Sequence, residues 1–249
     1  ANQAGEIYDL WAGAKATTFK DAFPEICRWL GITNLDRPKP KAKPPAPDTS
    51  ALAPMSGTPA LAYLTDKRGL SVETLKAYRV RAHKRPSEHN QDFVAFYYTD
   101  SEGEPVMLKS TGIKPTKEGK KDIWTTAPYY TLWGWWNVTP KDRAIIITEG
   151  EVDAMTVHQL NPGMPVLSLP SGASNLTWIE NDYDALTRFE RIYICTDMDE
   201  PGERAAQEMA KRLGLARCYR LPVPGGLKDA NQILTEDHGN ETFFEFGVW

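Results

Sequence analysis

The sequence predicts an α/β fold in which a parallel sheet flanked by helices follows a smaller α+β unit. Apolar strand segments and helical segments alternate through residues 144–249, an order typical of a parallel sheet covered by helices. Residues 93–98 and 105–109 are instead two apolar runs joined by a turn, which indicates an antiparallel pair. A proline-rich segment before both marks a boundary.

The alternation in residues 144–249 is regular. Strands are predicted at 144–148, 166–169, 191–196 and 217–221, and helices at 151–160, 177–188, 200–213 and from 229. Gly214 suits the end of the third helix. Ligands bind such sheets at the carboxyl ends of the strands, so the residues after each strand are the first candidates for a site.

The preceding residues divide into three further parts. Six prolines between residues 37 and 57 exclude a helix interior or a central strand and predict an extended linker. Residues 1–36 include a helix at 19–30, where apolar residues recur at spacings of three and four. Residues 58–143 form the α+β unit, with helix predicted over 60–80, a break before an N-cap at Ser71, and a lysine-rich loop at 114–121.

Charge is segregated along the chain. Residues 67–143 carry 14 Lys and Arg against 9 Asp and Glu, whereas residues 144–249 carry 8 against 17. This pattern favours a polyanion-binding surface beside a metal-binding one, although chance segregation of solvated charge gives the same numbers.

Composition excludes several other classes. No apolar run approaches the ~20 residues of a membrane helix, and no secretory signal precedes the first helix. The three cysteines lie far apart with no CxxC, so we expect no zinc site or disulfide framework within the chain, and a reducing cytoplasm fits.

Acidic residues follow three of the predicted strands. Glu149 follows the first strand, Asp197 and Asp199 the third, and Asp229 the fourth. Residues i and i+2 of an extended segment point the same way, so Asp197 and Asp199 are expected to face one point. Clustered carboxylates repel and favour a hard divalent cation, Mg²⁺ or Mn²⁺, and hence phosphoryl-transfer chemistry. An acid that follows a strand can instead cap the next helix or lie in its first turn. For Glu151, Asp153 and Glu200, both metal binding and this helix role stay open.

Three motifs resemble those of the Toprim domain. They are TEGEVD at 148–153, DMD at 197–199 and KDAN at 228–231. The sequence is similar above all to the primase domain of bacteriophage primase–helicases, which are related to DnaG-type primases and to Twinkle-like proteins. The similarity covers residues 58–249 and implies a Toprim-type sheet over 144–249, preceded by a basic primase subdomain at 58–143.

Residues 5–32 resemble the tail of a primase zinc-ribbon module. The resemblance implies that the ligand cysteines of that module lie upstream of Ala1, and that a replicative helicase is a domain of the same protein or a separate partner.

The resemblance also assigns roles to the acids. Glu149 is expected near the metal and is a candidate general base. Asp197 and Asp199 are expected to be the main metal ligands, and Asp229 to assist a second metal ion or its water. Asn231 stands where DnaG-type enzymes often have another acid.

Basic residues complete the expected site. By resemblance, Lys109 contacts the incoming nucleoside triphosphate or its α-phosphate, and Lys114 or Lys117 supplies a second such lysine. From the residues alone, a cluster of four cations is a candidate DNA contact, and a solvated loop is the alternative. The four are Arg79, Arg81, Lys84 and Arg85. The tryptophans at 133, 135 and 136 fit either base stacking or core packing.

These observations predict the catalytic core of a DNA primase. Such a core joins NTPs on a single-stranded DNA template by metal-dependent nucleotidyl transfer, in the cytoplasm of a bacterial host if phage-encoded, and needs no membrane. A Toprim nuclease and a non-catalytic module that binds DNA or a helicase are the alternatives.

Overall fold

Two five-stranded sheets follow one another along the chain. The computed structural model describes residues 7–15, 18–29, 41–85, 92–126, 128–173, 175–236 and 247–248. In these residues the first sheet has the order β1-β2-β3-β4-β5 and the second the order β10-β9-β8-β6-β7. The prediction of an α/β fold with a smaller unit before a parallel sheet is confirmed.

The first sheet is antiparallel throughout. Its strands are β1 (Leu52–Ala53), β2 (Arg81–Lys84), β3 (Asp92–Thr99), β4 (Pro105–Gly112) and β5 (Ile123–Thr125). Strands β3 and β4 are the predicted pair, whereas the short strands β1, β2 and β5 carry too few residues to show a pattern.

Short helices connect β1 to β2. They are α3 (Pro59–Ala62), which runs into π-helical Tyr63–Lys67, and α4 (Val72–Ala77). Ser71 caps α4 as predicted, since its hydroxyl accepts a hydrogen bond from the Thr74 N–H at 3.1 Å.

Part of the predicted linker lies against the first sheet. Strand β1 comes from within residues 37–57 and pairs with β2. The Lys43 ammonium lies 2.5 Å from Asp100 and 2.6 Å from Glu102, two residues of the turn between β3 and β4. The described end of this segment is therefore held against the sheet, and the domain boundary at 57 stays a prediction.

The second sheet has four parallel strands. They are β6 (Ala144–Thr148), β7 (Val166–Ser168), β8 (Arg191–Cys195) and β9 (Cys218–Arg220), and β10 (Gly247–Val248) adds an antiparallel edge. The helices between them are α5 (Glu151–Leu160), α6 (Trp178–Leu186), α7 (Glu200–Leu213) and α8 (Gln232–Thr235). Apolar periodicity predicted β6, α5 and α7 with the bounds observed.

Two further helices precede the linker. Helix α1 (Ile7–Lys15) packs on α2 (Phe19–Trp29), and the Trp11 indole donates to Glu25 at 3.0 Å. The helix predicted at 19–30 is confirmed over its described part, and its origin in a zinc-ribbon module stays a prediction.

The tryptophans at 133 and 135 pack in the interior. Trp133 is fully buried, lies edge-on to Phe96 of β3 and forms an antiparallel backbone bridge with Ser168 of β7, so it joins the two sheets. Trp135 is also buried. Core packing is therefore confirmed for both over base stacking.

Other sequence expectations concern cysteines and membranes. Cys195 and Cys218 are buried free thiols. Within the described part of the chain, no helix combines the length and apolar character needed to cross a bilayer.

Candidate active site

A cleft of about 850 Å³ lies between the two sheets. One wall is the face of the first sheet that carries Phe96 and Lys109. The other consists of the segments that follow β6, β7 and β8 and precede α8. The charged side chains lining it are Arg68, Lys109, Lys114, Lys121, Glu149, Glu151, Asp153, Asp197, Lys228 and Asp229. The prediction that the carboxyl ends of the parallel strands form a site therefore agrees with the position of the cleft.

Three of the four acids predicted as metal ligands line this cleft. They are Glu149, Asp197 and Asp229. Strands β6 and β8 are parallel neighbours with Thr148 opposite Cys195, so the segments after them meet. The Asp197 N–H donates a hydrogen bond to Oε2 of Glu149 at 3.2 Å.

Negative charge accumulates around Asp197. Burial, together with the neighbouring Glu149 and Asp229, raises its pKa from 3.8 to about 6. The Lys228 ammonium, 3.8 Å away, opposes the shift only in part. Such a site gains from an added cation.

Asp199 has a different position. Its Oδ1 accepts a hydrogen bond from the Gly202 N–H at 3.0 Å, which caps α7 and lowers its pKa. Its Oδ2 lies 3.2 Å from the Lys228 ammonium. Asp199 therefore shares Lys228 with Asp197 but lies outside the cleft lining.

Asp153 belongs to the same acidic wall. It stands in the first turn of α5, and burial raises its pKa to about 7, with contributions from Asp229 and Asp197. It accepts a hydrogen bond from the Asn231 N–H at 3.3 Å. A Cβ on Gly150 would lie 2.8 Å from Asp153 Oδ2, so glycine in the EGE motif leaves room for this carboxylate.

Lys109 lies opposite the acids and is paired. Its ammonium is 2.8 Å from Oε1 of Glu151 and 3.1 Å from the carbonyl oxygen of Pro170. The same Glu151 oxygen accepts a hydrogen bond from the Tyr98 hydroxyl at 2.5 Å. Sequence reasoning left Glu151 open as a helix-capping acid and did not single out Tyr98.

The remaining predicted basic residues are dispersed. Lys114 lines the cleft and Lys117 does not. The Arg79 guanidinium lies over the Trp136 ring at 5.2 Å, and the Arg85 guanidinium lies over Trp124 at 3.8 Å. Arg81 and Lys84 are exposed at the two ends of β2. None of the four candidate DNA contacts lines the cleft.

Two other charged lining residues were not among the predicted site residues. Arg68 donates to Asn231 Oδ1 at 3.3 Å and to the Tyr63 hydroxyl, and Lys228 pairs with the aspartates. Lys228 is part of the KDAN motif at 228–231, which was the sequence signal available for it.

The acidic residues of the cleft offer oxygen atoms as potential ligands for a metal ion. Glu149, Asp197 and Asp229 supply carboxylate oxygens, which Mg²⁺ prefers. Among the residues that the structure describes, no group of three or more His, Cys, Asp or Glu side chains is placed so that it could hold a metal ion.

Sequence comparisons give the family. A model described as Toprim-like matches residues 146–234. A Twinkle homolog protein, chloroplastic/mitochondrial, from Arabidopsis thaliana is 34% identical over 189 residues, which are 67% of this chain and 25% of that protein. The DNA helicase/primase of Enterobacteria phage T3 is 41% identical over 102 residues, 38% of this chain and 17% of that protein. The chain thus spans a quarter or less of these two relatives.

Comparisons with solved structures also match this chain to primase domains. A chain in the structure of bacteriophage T7 lagging-strand DNA polymerase with the primase domains of two gp4 subunits, an RNA/DNA hybrid and dTTP matches with a TM-score of 0.62 and 30% identity. The match covers 74% of this chain and 91% of that chain. The DnaG catalytic core matches with a TM-score of 0.54 at 14% identity over 72% of this chain and 69% of that one, a likeness of fold alone.

The fold and the acidic cleft define a Toprim-type α/β protein. The chain belongs to the Toprim-like family, as a primase-type member related to the phage primase–helicases.

Proposed function

We propose that this chain is the catalytic core of a DNA primase, which synthesises short RNA primers from NTPs on a single-stranded DNA template. The observation that carries the proposal is the single cleft in which Glu149, Asp197 and Asp229 face Lys109. Nucleotidyl transfer needs carboxylates for a metal ion and a cation for the phosphates, and the acids and Lys109 of the cleft support this assignment.

The acidic wall suits Mg²⁺ or Mn²⁺ held by Glu149, Asp197 and Asp229. One or two carboxylates with substrate phosphates is the usual way in which proteins hold Mg²⁺, so the ion is proposed to bind together with the triphosphate rather than to the acids alone. When bound, the ion supplies polarisation of the phosphoryl oxygens and a lowered pKa for the attacking 3′-hydroxyl.

The basic wall binds the triphosphate. Lys109 is held by Glu151 and Pro170 and is in position to contact the phosphate where charge develops. Lys114 lines the same cleft and extends the cationic surface. Glu149, next to the Asp197 backbone, is the candidate acceptor for the 3′-hydroxyl proton.

The template is proposed to follow the basic subdomain. Arg81 and Lys84 are exposed on β2 and provide phosphate contacts outside the cleft. A replicative helicase is a proposed partner, since one relative is named as a DNA helicase/primase. A zinc-ribbon module is proposed as a second partner from the resemblance of residues 5–32 to the tail of such a module.

Primer extension tests the proposal. Short single-stranded templates of mixed sequence, a preformed dinucleotide or trinucleotide primer, labelled NTPs and Mg²⁺ or Mn²⁺ are supplied to the wild-type chain and to Asp197→Asn. Glu208→Gln, which removes an exposed carboxylate from α7 outside the cleft, is the matched control.

Template-dependent extension by the wild type and the control, lost in Asp197→Asn, is the expected result. Metal-dependent degradation of the template without extension would indicate a Toprim nuclease. DNA binding with neither activity would indicate a non-catalytic module.

A further inference from the structure

Tyr98 is a buried hydroxyl at the junction of the two sheets. Its side chain is fully buried in β3 and packs near Trp133, with ring centroids 6.4 Å apart. A phenylalanine would fill the same space, so the hydroxyl serves a purpose other than packing. That hydroxyl donates to Oε1 of Glu151 at 2.5 Å.

Glu151 needs more than one partner at this depth. Its side chain is 8% exposed, and a buried carboxylate is costly unless it is both paired and hydrogen-bonded. The Lys109 ammonium supplies the opposite charge at 2.8 Å, on the oxygen that also accepts from Tyr98. Tyr98 therefore fixes the oxygen that holds the lysine.

Lys109 is oriented by this arrangement. Of its three N–H bonds, one is directed to Glu151 and one to the Pro170 carbonyl, while the side chain lines the cleft. An ammonium held at two points presents its third N–H in a fixed direction. A positioned donor contributes more to phosphate binding than one that must first be ordered.

We propose that Tyr98 is a positioning residue that acts through Glu151 to orient the Lys109 ammonium toward the phosphates of the incoming nucleotide. The chain of contacts runs from β3 through the first turn of α5 to β4, and so joins the subdomain that carries the lysine to the sheet that carries the acids. The proposal rests on the proposed function, in which Lys109 contacts the triphosphate.

The test compares Tyr98→Phe with Tyr78→Phe. Tyr78 is equally buried, and its hydroxyl donates to the Val166 carbonyl at 2.9 Å, so each variant loses one buried hydroxyl and the hydrogen bond that it donates. KM and kcat for NTPs are measured by primer extension, and the Kd of Mg·ATP by equilibrium binding. The Kd is also measured for Lys109→Ala and for Tyr98→Phe/Lys109→Ala.

Tyr98→Phe is expected to raise KM and Kd by up to about 10-fold, because the Lys109 side chain must then be ordered as the nucleotide binds, with a smaller change in kcat. Tyr78→Phe should leave KM and Kd unchanged. In the Lys109→Ala background, Tyr98→Phe should cause no further loss, because residues that act through one another are non-additive.

Two results would overturn the role of Tyr98. The first is that Tyr98→Phe keeps the wild-type KM and Kd. The second is that Tyr98→Phe raises Kd by the same factor in the wild-type and Lys109→Ala backgrounds, as a residue with only a structural role would. If Tyr98→Phe does not fold by circular dichroism, Glu151→Gln takes its place in the same cycle. A wild-type chain that neither binds nucleotide nor extends a primer would instead refute the proposed function, and this role with it.

Discussion

The Asp197 N–H donates a hydrogen bond to Oε2 of Glu149 at 3.2 Å. The contact joins the segments that follow two neighbouring parallel strands, and it places two acidic residues at one point of the cleft. Burial together with Glu149 and Asp229 raises the pKa of Asp197 to about 6. Ionised Asp197 is therefore a source of instability in the metal-free protein.

Removal of this charge is expected to stabilise the metal-free chain. The pKa of Asp197 is higher in the folded state than its ordinary value of 3.8, so folding favours the protonated form, and this contribution is lost as the pH rises through about 6. Asp197→Asn should raise Tm at pH 7.5 by roughly 2–4 °C, the shift that 1 kcal/mol produces in a chain of this size. The advantage should shrink at pH 4.5, where the wild-type carboxyl is largely protonated.

Scanning calorimetry in EDTA at both pH values measures this difference. Glu208→Gln should be neutral at both, because its carboxylate is exposed on α7. A Tm for Asp197→Asn below that of the wild type at pH 7.5 would contradict the account of Asp197 as an uncompensated charge.

Magnesium is expected to stabilise the wild-type chain at neutral pH. A ligand that binds only the folded state raises Tm in proportion to the logarithm of its concentration. Mg²⁺ should therefore raise the wild-type Tm in a titration, and Asp197→Asn should show a much smaller rise. Equal rises in the wild type and Asp197→Asn would place the bound ion elsewhere.

Asp199 combines a cap with a candidate ligand, and two substitutions separate these roles. Its Oδ1 caps α7 through the Gly202 N–H. Asp199→Ala removes the cap and should cost about 1 kcal/mol, whereas Asp199→Asn keeps a capping oxygen and should retain the wild-type Tm in EDTA. Primer extension then tests the charge separately from the cap. If Asp199 is a metal ligand, both variants should lose activity, although only Asp199→Ala loses the cap.

The acidic wall could be predicted from sequence because parallel strands place their following residues at one edge. The Glu151 and Tyr98 contact could not, because it joins residues 53 positions apart and β3 is buried on both faces. Without alternation along the strand, no pattern showed which side of β3 faces the site. Likewise, the i, i+2 spacing predicted that the side chains of Asp197 and Asp199 point the same way, but it could not show that Asp199 instead caps α7.

The ion pair of Lys109 with Glu151 should contribute far more to stability than those of Lys228. Lys109→Met leaves a buried carboxylate without its cation, which costs about 3 kcal/mol or more. Lys228 has a 59% exposed side chain, and Lys228→Met should change stability by less than about 1 kcal/mol. Urea unfolding of both variants measures the difference, and similar values for the two would show that Glu151 finds another partner.

Gly202 packs against the backbone of Asp197, although it does not line the cleft. A Cβ at this position would lie 2.3 Å from the Asp197 carbonyl oxygen and 3.1 Å from its nitrogen, so Gly202→Ala must displace either the start of α7 or the backbone of Asp197. Since that nitrogen donates to Glu149, we expect Gly202→Ala to lower primer extension at least about 10-fold, as displacement of reacting groups does. Gly163→Ala is the matched control, because its Cβ would meet only Asn161 Oδ1 at 3.5 Å. Retention of full activity by Gly202→Ala would show that the Asp197 segment tolerates displacement and that the geometry of this contact is not needed for catalysis.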